Sequence, residues 1–90
     1  MKKQFKVVKL LPLRQGVSEQ TGREWKSRDV VLTSTEPVMY PDCIVATLKG
    51  DAAEDTTLKE GDIVEAVLAF FAHEHDGRWY NNVRIVSVTQ

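Results

Sequence analysis

Residues 59–88 read KEGDIVEAVLAFFAHEHDGRWYNNVRIVSV, and the fold turns on that stretch. Two runs rich in apolar and aromatic residues flank Asp76-Gly77. An Asp-Gly pair suits the left-handed backbone angles of a two-residue type I′ loop, so the stretch reads as a long β-hairpin. Such a loop sets Phe70 opposite Val83, Leu68 opposite Ile85 and Ala66 opposite Ser87. Side chains alternate along a strand. Val64, Ala66, Leu68, Phe70, Val83 and Ile85 therefore share one face, taken as core. Glu65, Val67, Ala69, Phe71, His73, His75, Arg78, Tyr80, Asn82, Arg84, Val86 and Val88 take the other, with aromatics and cations toward the turn. A three-residue loop with a bulge would shift the pairing but keep each strand's own alternation.

Upstream, Gln4 to Leu13 is rich in Val, Leu and Phe and reads as a first strand. Pro12 near its end marks an edge or a bend, because proline cannot donate to the ladder. Gly16 to Gly22 is polar and glycine-flanked, the loop of a hairpin. Trp25 to Thr35 is the second strand. Val30, Val31 and Leu32 are consecutive and leave the inward alternation open. If Val30 and Leu32 face the core, Trp25, Ser27 and Asp29 face away from it. Glu36-Pro37 and Tyr40-Pro41 punctuate a loop. Cys43 to Leu48 is a short third strand, with Ile44, Ala46 and Leu48 inward and Cys43, Val45, Thr47 and Lys49 outward. Gly50 to Thr57 is the only helical candidate, with Asp51 as cap and Glu54 three positions on. A helix of about two turns is marginal alone, so it has to dock through Ala52, Ala53 or Leu58. The order is three strands, a short helix and two strands. That predicts an all-β domain, a five-stranded OB-fold (Greek-key) barrel with one helix between strands three and four. An SH3-like barrel competes, but would not normally place a helix there.

The 90 residues make one domain, residues 1–90, with room for a small core. The chain is 42% hydrophobic and 28% charged, as ordinary soluble domains are. No apolar run nears the roughly 20 residues that span a bilayer. The opening MKKQFKVVKL has a basic head, but Lys6 and Lys9 break its apolar run and no cleavage site follows. A cytoplasmic address without membrane contact is expected. The single cysteine, Cys43, rules out an internal disulfide and suits a reducing compartment. The net charge of -1 hides an asymmetry. Residues 1–28 hold eight cations against two acids, and residues 29–90 hold four against eleven. A basic front half can mark a nucleic-acid surface, or be a set of solvated strand faces whose charges even out in space.

Three motifs carry a family likeness: Gly22-Arg23-Glu24-Trp25-Lys26, Leu58-Lys59-Glu60-Gly61-Asp62-Ile63-Val64, and Asp76-Gly77-Arg78-Trp79-Tyr80. Together, from about Phe5 to Val88, they resemble a family of small bacterial single-domain OB-fold proteins, catalogued as a domain of unknown function. The family is similar in fold to single-stranded-DNA-binding proteins. The resemblance implies the barrel and points toward nucleic acid, without an activity. Two features depart from that pattern: the second half is acidic, and the long acidic tail with which bacterial single-stranded-DNA-binding proteins recruit partners is missing.

The candidate surface follows from where OB-folds bind: across strands two and three, between the loops joining strands one–two and four–five. Trp25 follows the first loop, with Arg23, Lys26 and Arg28 beside it. Trp79 follows the second, with Arg78 and Tyr80. Exposed aromatics with cations beside them suit unpaired bases, since any base stacks and any phosphate pairs with Arg or Lys. Either indole could instead close a barrel end. Trp79 shares a face with Val83 and Ile85, so its loss is expected to cost about 3–5 kcal/mol of stability. Phe71, Tyr80 and Arg84 form a second group on the outward hairpin face, able to stack bases, pair as cation–π or be covered by another subunit. Lys49 completes the set from the third strand.

His73 and His75 point the same way and offer two zinc ligands, too few for a closed site, so no metal and no cofactor is expected. Cys43 has no basic neighbour in sequence to activate it. No spaced acid–base pair or phosphate-loop glycine pattern stands out, and no enzyme is expected. The expectation is a non-enzymatic module binding single-stranded DNA or RNA with little sequence preference. The alternative is a protein-interaction or self-associating module. Val67, Val86 and Val88 on the outward hairpin face point to a homodimer.

Overall fold

The computed structural model describes residues 2–54 and 56–89. It is mostly β. Strands β1 (Lys2–Leu10), β2 (Arg14–Val17), β3 (Glu24–Ser34) and β4 (Cys43–Lys49) precede helix α1 (Asp51–Glu54). Strands β5 (Ile63–His75) and β6 (Arg78–Thr89) follow it. The sheet runs β1-β5-β6-β4-β3-β2, and β1 also pairs with β3, so the strands close into a ring.

Six strands stand where five were expected, because Gln4–Leu13 is not one strand. Pro12 has no N–H to give the ladder, and the strand breaks at 11–13. Its two parts still follow the same neighbour. β1 pairs with Val30–Ser34 of β3 and β2 with Glu24–Ser27. The Leu11 N–H donates to the Asp29 carbonyl across the join, at 3.0 Å.

Inside the ring lie Phe5, Val7, Val30, Leu32, Ala46, Leu48, Val64, Ala66, Leu68 and Ile85. The open alternation of β3 is thereby resolved, with Val30 and Leu32 inward. Each large side chain so buried contributes roughly 1.5–3 kcal/mol. The helix is shorter than Gly50–Thr57. Only Asp51–Glu54 is helical, 56–57 is irregular, and Asp55 lies outside the described residues. Glu54 closes no capping box and ion-pairs with Lys26 instead. Ala53 and Leu58 are buried and dock the segment.

The β5–β6 hairpin has the expected turn, Asp76 and Gly77 both having positive φ (53° and 79°). From His75↔Arg78 down to Leu68↔Ile85 the pairing is as read. Below that a bulge intervenes, so Val67 faces Ser87 and Ala66 faces Val88 rather than Ser87. The bulge turns Val88 toward the core, against which it packs. A second correction concerns the upper hairpin. Phe70 lies on the core-side face yet is 55% exposed, because the buried layer ends at Leu68 and Ile85. Val83 still packs partly against the core, and beyond it the hairpin is a two-stranded arm.

Candidate functional site

The outward face is built by strand alternation. Arg14 pairs with Ser27 and Gly16 with Trp25, while Ser27 pairs with Lys49 and Asp29 with Thr47. β4 and β6 meet in parallel through Thr47 and Arg84. Above this narrow seam lies a groove of about 360 Å³, whose lining includes Arg14, Trp25, Lys49, Phe71, Asn82 and Arg84.

The groove's charge is open in places and covered in others. The Arg14 guanidinium donates to Asp29 Oδ2 at 3.0 Å, and the Thr47 hydroxyl donates to Oδ1 at 2.9 Å. Asp29 is thus engaged by its own neighbours. Lys26 reaches the groove but gives its ammonium to Glu54. That hydrogen bond holds the lysine pKa above its usual range. Among the described residues, Lys49 and Arg84 have no ion-pair partner. Two cations therefore remain available to an anion, beside two exposed rings, Trp25 and Phe71.

The same face continues up the arm. The cross-strand pairs beyond Arg84 are Phe71 with Asn82, His73 with Tyr80, and His75 with Arg78. No carboxylate lies among these pairs. The Asn82 amide and His73 Nδ1 are 2.7 Å apart, and the His73 and Tyr80 rings stack with centroids 5.5 Å apart. Asp76 at the turn comes within 3.3 Å of His75 Nε2. Aromatic and cationic side chains thus run from Trp25 over the seam to Arg78.

The family whose domain spans this face is a domain of unknown function, DUF3127, matched over residues 4–89. The chain belongs to the DUF3127 family. No curated protein and no solved structure matches it.

Of the residues expected at the site of this DUF3127 domain, Trp25, Lys26, Lys49, Phe71 and Arg84 meet at the groove. Tyr80 and Arg78 extend the track along the arm. Arg23 stays in the exposed β2–β3 loop. Arg28 points elsewhere. It alternates with Trp25, and its Nε donates to the Ala53 carbonyl at 3.1 Å, tying α1 to β3. Trp79 lies on the arm's opposite face, across from Glu74, and is 70% exposed. The expected core role is corrected: Trp79 does share a face with Val83 and Ile85, but the core covers that face only as far as Val83, and Trp79 lies beyond it on the arm. Arg14 and Asn82 were missed. The β2–β3 hairpin register would have placed Arg14 beside Ser27, had the strand break at Pro12 been drawn. Among the described residues, no three of His, Cys, Asp and Glu gather as a metal site. Among the described residues, no helix is long and apolar enough to cross a membrane.

Proposed function

We propose that this chain is a non-enzymatic OB-type module that binds single-stranded nucleic acid with little sequence preference. If β1 and β2 are halves of one bent strand, five strands remain, with a short helix between the third and fourth. That arrangement supports a Greek-key barrel of the OB type. The observation that carries the reading is the unbroken face from Trp25 through Lys49, Arg84 and Phe71 to Tyr80 and Arg78. Rings suited to stacking stand there beside cations suited to phosphates, and the nearby Asp29 carboxylate is already paired with Arg14 and hydrogen-bonded by Thr47. The test is a fluorescence titration with single-stranded oligothymidylate at two salt concentrations. Affinity should fall steeply with salt, and a parent showing no binding even at low salt would remove the reading.

One observation favours a second reading, self-association. The arm's other face exposes Phe70 and Trp79. Of the valines expected to form a dimer patch, Val86 remains strongly exposed, whereas Val88 is turned inward by the bulge. A homodimer would therefore use the arm.

A further inference from the structure

The groove contains a contact that the nucleic-acid reading does not by itself require. Gly16 lies opposite Trp25 in the β2–β3 pair. A Cβ placed on Gly16 would stand 2.8 Å from Trp25 Cζ2, 2.9 Å from Cε2 and 3.0 Å from Nε1. These are three contiguous atoms at nearly equal distance, so the indole lies across the glycine rather than pointing away from it. Real Cβ atoms do not approach so closely, and any side chain at 16 would displace the ring. Backbone conformation does not demand glycine here, since the φ of Gly16 is not positive. The glycines at 22, 50, 61 and 77 have positive φ and open space around them. Gly16 is the one whose lack of a side chain is used by a neighbour.

We propose that Gly16 is a positioning residue for the binding groove: its bare backbone seats the Trp25 indole and leaves one ring face outward, so Trp25 stacks a single unpaired base on one side. The inference rests on the single-strand reading and adds how the base is taken. A ring seated on one side cannot be sandwiched between two bases. It is also held in orientation before the ligand arrives, which limits the ordering cost of binding. Gly16→Ala is a clean perturbation, because alanine tolerates extended backbone and fits a strand at least as well as glycine.

The experiment compares the parent, Gly16→Ala, Trp25→Ala and the double variant, each titrated with fluorescein-labelled oligothymidylate at two salt concentrations. Gly16→Ala should weaken binding by at least about fivefold, the low end of the loss when a stacking ring is removed. The salt slope should not change, because no phosphate contact is lost. In the Trp25→Ala background the same substitution should have no further effect. Equal binding by Gly16→Ala and parent, or an equal loss in both backgrounds, would overturn the assignment. A second measurement needs no nucleic acid. In a Trp79→Phe background Trp25 is the sole indole, and Gly16→Ala should raise its quenching by acrylamide. If the parent binds no oligonucleotide, the single-strand reading fails. Unchanged quenching would show instead that the seat itself is wrong.

Discussion

At the scale of the residue, neighbouring cations have opposite uses. Among the described residues Lys49 and Arg84 at the groove have no ion-pair partner, so each removed to Ala should weaken oligonucleotide binding and flatten the salt slope by about 0.7 per lost phosphate contact. An unchanged slope would exclude them from the phosphate track. Arg28 holds α1 through the Ala53 carbonyl. Arg28→Ala should leave affinity alone and cost about 1.5–3 kcal/mol in urea unfolding, the range for a charged hydrogen bond. Lys26 and Glu54 tie the same helix to β3. A lysine pKa raised on folding gives stability that is full below the unfolded value, near 10.5, and is lost as pH rises through the folded value. The difference in urea midpoint between the parent and Lys26→Met should therefore hold at neutral pH and shrink above 10.5. A gap that stays constant with pH would show that the ion pair is not its cause. Trp79→Ala, on an open face, should change stability by no more than about 0.5 kcal/mol. A loss near that of a core tryptophan would mean that something covers the ring.

At the scale of the element, the hairpin is two objects. Its lower part, up to Leu68 and Ile85, is a wall of the core. Its upper part has no layer behind it. An isolated two-stranded ribbon is marginal in water, and this one is held by its turn, its anchored base and contacts such as the His73–Tyr80 stack. Replacing residues 72–81 with Asn-Gly would close the hairpin directly above Phe71 and Asn82, which already face each other. The shortened chain should keep its urea midpoint and lose affinity for single strands, because Tyr80 and Arg78 go while the groove stays. If it unfolds, the arm is part of the folding unit. If it binds as the parent does, the track ends at the groove.

At the scale of the whole molecule, the arm sets the shape. The radius of gyration is 14.3 Å, and the longest extent is 46 Å. A compact chain of this length has a radius nearer 12 Å. The excess is surface, much of it the arm with aromatics on both faces. Two arms meeting through Phe70 and Trp79 would cover that surface and leave the groove face free. Sedimentation should show concentration-dependent association that Trp79→Ser reduces. A strict monomer at high protein concentration would remove self-association and leave both faces of the arm to ligands.

The local elements were legible in the sequence because short-range rules govern them. Asp76-Gly77 demanded a left-handed turn, and alternation placed Leu68 and Ile85 together inside and Phe71 and Arg84 together outside. The same alternation put Lys49 outward, whereas the run Val30-Val31-Leu32 left the side of Trp25 open until the closed sheet set Val30 and Leu32 inward. Period two names a face, however, and does not say whether anything lies against it. Phe70 and Trp79 follow the core pattern and remain exposed, because the ring closes below them. Arg28, two residues from Lys26, was claimed by a helix carbonyl that no spacing in the chain announced. Val88 changed sides at a bulge that no residue type required. Gly16 read as an ordinary loop glycine until an indole from the next strand was found lying on it. Turns and faces follow from residue type and periodicity. Burial, partnership and the seam at Thr47 and Arg84 depend on which segments distant in the chain come to rest against each other, and only the closed sheet decides that.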